Sequence, residues 1–229
     1  MTYSVPENHF ARRLAILLIG LSILAFGIAM SKKAMLGTAP ISCIPATLTD
    51  CFPDLGLTLG EWTIVFNVIL VLLQILILRK DFKAIQILQI ALAVFLGKMV
   101  DLSTDYLLFF MEAHSYLEQW IYCIISAAVL AFGVMMEIRA KLLVVPGDGL
   151  VMALAAKVRG YSFSRLKVCT DVTMVVTACV ISLAAMGTLT GAREGSVFAA
   201  VAVGNFIGFY RAKFGHYIDR FLGDEKKNA

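Results

Sequence analysis

Lys98, Asp101 and Asp171 are ionisable side chains inside apolar stretches. A charge at mid-membrane costs about 2.5–3.5 kcal/mol on insertion scales, so such residues face a cavity or a partner and are candidates for ion or proton coupling. Asp101 stands three residues from Lys98, near enough on one helix face to pair with it. Asp171 has Lys167 at i−4. A second group surrounds two prolines. Thr38, Pro40, Ser42 and Cys43 form one set, and Pro146, Gly147, Asp148 and Gly149 the other. Their chemistry is that of binding: hydroxyls, a thiol, a carboxylate, and glycine backbone that a ligand can approach closely. A proline inside an apolar segment removes a backbone donor, and the carbonyls it frees need protein or water as partners.

Other chemistries lack their residues. There is no phosphate-binding G-x-x-x-x-G-K-[ST] loop, no H-E-x-x-H and no G-x-S-x-G. His9, His114 and His216 fall in loops or at helix ends and make a poor metal cluster. The five cysteines, Cys43, Cys51, Cys123, Cys169 and Cys179, show no C-x-x-C spacing. Cys43 and Cys51 are the only pair placed to bridge. With no nucleophile–base pair and no metal set, the chain reads as a non-enzyme with no cofactor.

The elements that must position these residues come in two copies. Leu24-Ala25-Phe26-Gly27 returns as Leu130-Ala131-Phe132-Gly133 at an offset of 106, which also pairs Met30 with Met136, Ala34 with Ala140, Leu36 with Leu142 and Pro40 with Pro146. Farther on, Thr58-Leu59-Gly60 aligns with Ser162-Phe163-Ser164, Asn67 with Asp171, and Gly97–Asp101 with Gly204–Gly208. Each copy reads as an apolar helix, a polar joint and a proline-broken segment, Pro40–Leu48 and Pro146–Leu154. Paired Gly/Pro-interrupted segments in two halves of a membrane chain point to a transport site, and Asn67 joins the candidate lining as the mate of Asp171.

Composition names the solvent. Of 229 residues 60% are hydrophobic and 16% charged, with a mean hydropathy of +0.85. Soluble domains carry about 45–50% apolar and about 25% charged residues, so this surface requires lipid. Six spans are expected: Leu14–Met30, Trp62–Leu78, Ala84–Met111, Trp120–Met136, Leu166–Met186 and Ser196–Tyr210. With the N-terminus inside, sixteen of the 20 lysines and arginines lie in inside segments, and only Lys32, Lys33 and Arg193 lie outside. Both termini are then cytoplasmic, and the basic residues follow topology rather than nucleic acid. Glu137 and Arg139 read as interfacial anchors, and Arg193-Glu194 as a helix cap. Three spans separate the copies, so the halves face opposite ways. The expected fold is all-α: a polytopic membrane protein of six transmembrane helices, arranged as two inverted-topology three-helix repeats with a re-entrant segment each. It forms one membrane domain, with repeat one about 11–111, repeat two about 116–214, and a charged tail at 215–229.

With these residues in hand, the chain resembles the YczE/YyaS/YitT-like family of bacterial integral membrane proteins, closest to its YczE branch, over roughly Leu14 to Tyr210. The stretches that carry the likeness are Leu36–Pro45, Leu59-Gly60-Glu61-Trp62-Thr63, Pro146-Gly147-Asp148-Gly149-Leu150, and Gly191–Ser196 running into Val203-Gly204. Family members usually have a small hydroxyl residue where Cys43 stands. The resemblance implies the helical membrane fold and no particular substrate.

The leading expectation is an inner-membrane transporter or permease for a small polar or anionic solute, held between the broken segments near mid-membrane. Its partners would be the bilayer, the solute and, as a homodimer, a second copy. The rival expectations are a non-transporting scaffold or assembly partner, whose small-residue faces Gly20/Gly27 and Gly204/Gly208 pack helices, and a substrate-binding subunit of a larger uptake complex.

Overall fold

A computed structural model describes residues 9–158, 161 and 163–223. Ser162, the first eight residues and the end of the charged tail lie outside the described residues. Eight helices make up the described fold: α1 (Phe10–Lys33), α2 (Pro40–Cys51), α3 (Leu59–Leu78), α4 (Leu88–Leu102), α5 (Tyr116–Ala140), α6 (Pro146–Lys157), α7 (Phe163–Met186) and α8 (Glu194–Leu222). Five helical stretches are long and apolar enough to cross a membrane: Phe10–Lys33, Leu59–Asp81, Ala84–Leu107, Tyr116–Ala140 and Arg165–Met186. The sixth expected span runs on into the start of the expected charged tail as one 29-residue helix, α8. Its second half carries Arg211, Lys213, Asp219 and Arg220, which dilute its apolar character.

The third expected span is not uniform. It opens with a 3-10 turn at Ala84–Ile87 and closes with a π turn at Ser103–Leu107. There the Ser103 and Thr104 hydroxyls donate back to the Met99 and Val100 carbonyls, and the Leu108 amide reaches the Ser103 carbonyl.

α1 and α5 form the centre, packed antiparallel. Arg13 bonds the Ala140 carbonyl at one end, Gly20 lies against Gly133 and Met136, and Gly27 lies against Leu130. Small residues let the two backbones approach, the usual means of helix association in lipid. Leu17, Leu21, Ala25 and Leu130 fill the joint with Val145. Arg13 is buried in this seam.

α4 flanks α1, and α8 flanks α5. α3 packs on α4 through Gly60 and Gly97, where a Cβ on Gly60 would strike the Gly97 carbonyl and the Asp101 carboxylate. α7 packs on α2 and α6. The two short helices therefore sit between α3 and α7.

The offset of 106 persists in the backbone. α2 and α6 are each 12 residues and begin on Pro40 and Pro146, at the first helical position where a missing N–H costs nothing. Met35 and Lys141, also 106 apart, both adopt left-handed backbone, with φ of 60° and 53°. α3 starts at Thr58, whose side chain accepts from the Glu61 amide while Glu61 accepts from the Thr58 amide.

Candidate functional site around the two short helices

The entries to α2 and α6 gather several of the buried polar residues, among them Thr38, Ser42, Gln74, Gln89 and Glu137. At α2, the Thr38 amide donates to the Gly191 carbonyl at 2.9 Å, tying the helix to the loop between α7 and α8. The Thr47 hydroxyl donates to the Thr190 carbonyl at 3.0 Å, and the Cys43 thiol lies 3.2 Å from the Thr38 carbonyl and 3.5 Å from the Ser196 hydroxyl. Gly37 has φ of 94° and presses on Arg193 and Ser196, a place closed to any side chain. Ser42 is buried, its amide bonded to the Ala39 carbonyl. Cys43 and Cys51 are separate thiols. Beside this entry, Lys32 bridges Asp50 at 2.5 Å and the Ala46 carbonyl at 3.1 Å. With Thr38, Gly191 and Arg193 these two line a cavity of about 200 Å³.

At α6 the partners are ionic. Glu137, in the last turn of α5, is 1% exposed and accepts the Val145 amide at 2.6 Å. Val145 is the residue just before α6. The Gln74 side chain, fully buried on α3, donates to the Pro146 carbonyl at 3.1 Å and to Gln89 Oε1 at 3.0 Å. Gly149 lies so close to Gln74 and Gln89 that a Cβ would come within 2.9 Å of both. Lys167 on α7 sits 3.0 Å from Asp148 and 3.0 Å from Asp171, tying α6 to α7. The expected Lys167–Asp171 contact is thus present, with Asp148 added to it. Gly147 abuts Ile41, so the two short helices touch near their starts.

Three candidates stand elsewhere or differently. Asp101 accepts from the Gly60 amide at 2.7 Å and the Thr58 hydroxyl at 2.8 Å, holding the start of α3. Lys98 pairs with Glu61 at 3.8 Å, and the expected Lys98–Asp101 pair does not form, because the Gly60–Gly97 contact turns Asp101 onto its neighbour helix. Asn67 is buried and donates to the Thr63 carbonyl of its own helix, leaving Oδ1 without a hydrogen-bond partner. It makes no hydrogen bond to Asp171.

Sequence reasoning missed Gln74, Gln89 and the role of Glu137. Glutamines in apolar helices are weak signals, and Glu137 beside Arg139 looks like an interface pair. Arg139 does bond a charge, Asp219 of α8, while Glu137 turns inward. The offset carried one clue: Glu137 falls on Ser31, which bonds the Gly37 carbonyl in the same joint of the first copy.

A larger cavity, about 350 Å³, opens between α3 and α7 over the two short helices. Its lining is apolar, including Ile44, Phe66, Leu150, Leu154 and Met174, with Thr170, Thr173 and Thr177 on one wall. The threonine hydroxyls are spent on carbonyls of their own helix. No group of three or more metal-type side chains occurs among the described residues.

Long apolar helices around a buried polar centre define a helical protein of membrane type. Over residues 11–212 the chain matches a family of unknown function, DUF6198, and belongs to that family. No curated protein and no solved structure matches the chain.

Proposed function

We propose that the protein is an inner-membrane transporter for a small polar or anionic solute, bound near mid-membrane between α2 and α6. One observation carries this reading. Two 12-residue helices, each opened by a proline and 106 residues apart, meet at their starts inside the bundle. At about 1.5 Å per residue each is about 18 Å long, against a hydrocarbon core of about 30 Å, so neither crosses. They would enter the bilayer from opposite faces as re-entrant segments. The antiparallel α1–α5 pair supports this, since equivalent helices running in opposite directions are what inverted repeats require. In this reading both termini are cytoplasmic, Lys32–Asp50 closes the outer side, and Lys167 with Asp148 and Asp171 closes the inner side. Ser42 and Asp148, the third residues of α2 and α6, contact the solute when a side opens. The chemistry is binding and release, without bond cleavage.

A scaffold role is the second reading, favoured by α8. Added Cβ atoms at Gly204 and Gly208 would meet nothing within 4 Å, leaving a small-residue face ready for a helix of another chain, including a second copy of this one.

A thermal-shift screen of purified protein against small anions, amino acids, sulfonates and amides separates the two. A ligand at 100 times its Kd stabilises by about 2.7 kcal/mol. Transport predicts a hit that the Ser42→Ala/Asp148→Asn variant loses, followed by uptake of that compound into proteoliposomes. Binding without uptake would mark a substrate-binding subunit. A blank screen with a stable co-purifying chain overturns transport in favour of the scaffold.

A further inference from the structure

Glu137 holds α6 in place through one oxygen and leaves the other bare. Oε1 accepts the Val145 amide at 2.6 Å, while Oε2 is buried with no hydrogen-bond partner. A charge-assisted bond of this kind is short and roughly twice as strong as a neutral one. The bare atom is a good acceptor that faces no donor, whereas buried polar atoms in proteins are mostly paired. Protonation is the chemistry that fits without further space, because it needs no cavity.

We infer that Glu137 is a proton-binding site whose loading releases the entry of α6. The proton passes from hydronium to Oε2; an O–H bond forms, water departs, and no electrons are exchanged. The carboxyl is then neutral, and its bond to the Val145 amide drops from charge-assisted to ordinary strength. What remains at the joint is the Gln74 bond to the Pro146 carbonyl and the Lys167 bridge to Asp148. This inference rests on the transport reading for its purpose, though the proton site itself does not.

The surroundings of Glu137 contain both signs of charge. α6 brings Asp148 and α7 brings Lys167, both close enough to act on it electrostatically, with Asp171 behind Lys167. α1 brings Arg13, which bonds the Ala140 carbonyl at 3.3 Å, and α8 brings Asp219, bonded by Arg139. α3 and α4 present the neutral Gln74 and Gln89. Lys167 stands 3.0 Å from each of its two carboxylates, so Glu137 shares this cation with Asp148 and Asp171.

The first copy has no such device. At the matching position Ser31 donates to the Gly37 carbonyl at 3.4 Å, and a hydroxyl does not titrate in this range. Proton control therefore acts on one half of the molecule, at α6.

Two measurements on the full chain in detergent test this. Infrared difference spectra across a pH titration should show a protonated-carboxyl band that Glu137→Gln removes and Asp171→Asn retains. Hydrogen exchange, corrected for intrinsic rates, should show the peptide 141–149 losing protection at least tenfold as pH falls. The peptide 35–43 is the internal control and should not respond. In Glu137→Gln the 141–149 peptide should exchange fast at every pH. A carboxyl band that survives Glu137→Gln overturns the inference, as does an unchanged exchange profile in the wild type, which needs no variant to fold. Uptake assays separate the two levels. A pH response at 141–149 without uptake of any solute sinks the transport reading and leaves the proton site. Uptake indifferent to a pH gradient sinks the coupling and leaves transport.

Discussion

The entries to α2 and α6 occupy the same place in the two copies and are held by different forces. The start of α2 is tied by neutral bonds, the Thr38 amide to Gly191 and the Cys43 thiol between Thr38 and Ser196, and charge enters only at its far end, where Lys32 meets Asp50. α6 is tied by charge: Glu137 to the Val145 amide, and Lys167 to Asp148. The backbone is shared, down to the left-handed Met35 and Lys141. The two joints thus share a backbone and differ in the chemistry that fastens them. Neutral bonds hold alike across a wide pH range, whereas carboxylate bonds depend on protonation. At the helix starts, then, only the α6 joint carries a group that responds to protonation.

Matched substitutions test that contrast. The largest difference should come from Glu137→Ala set against Ser31→Ala. A hydrogen bond to a charged group is worth about 1.5–3 kcal/mol and a neutral one about 0.5–1.5, so unfolding in detergent, at a pH where Glu137 is ionised, should show Glu137→Ala about 1 kcal/mol worse. Equal losses would mean the charge adds nothing. Next is Gly149→Ala against Cys43→Ala, the same position in the two copies. The alanine at 149 must displace Gln74 or Gln89, an overpacking cost of about 1–3 kcal/mol, and should break the Gln74–Pro146 bond. The alanine at 43 leaves a small void, and should cost about 1 kcal/mol. The smallest difference is expected between Lys167→Met and Thr63→Val. Lys167 joins two helices, but a third of its side chain is exposed, so its loss should cost about 1–2 kcal/mol. Thr63 bonds only its own helix at Leu59, and its loss should cost under about 1 kcal/mol. Thermal unfolding of all six variants would rank them.

Much of this fold could be read from the chain. The offset of 106 located both short helices to the residue at their starts, because proline fixes the first helical position. Their ends ran three residues past expectation, Leu48 to Cys51 and Leu154 to Lys157, since nothing in those stretches stops a helix. The Lys167–Asp171 contact followed from spacing alone. The Lys98–Asp101 pair did not, because one-helix spacing carries no information about a neighbour: the start of α3, brought near by two glycines, offers Asp101 two donors. Glu137, Gln74 and Gln89 were illegible for the same reason. They lie on three different helices, and only the entry of α6 between those helices makes them one cluster.

The sealed thiol of Cys43 has a practical consequence. It is fully buried, closed in by α2, the loop before α8, and Ala178 and Cys179 of α7. A maleimide reaches it only when α2 parts from those neighbours. With the exposed Cys169 replaced and the other thiols controlled, its labelling rate is a clock for opening of the first half, read at a thiol the chain already carries. Run alongside exchange at 141–149, that clock tells whether the two halves move in turn or together.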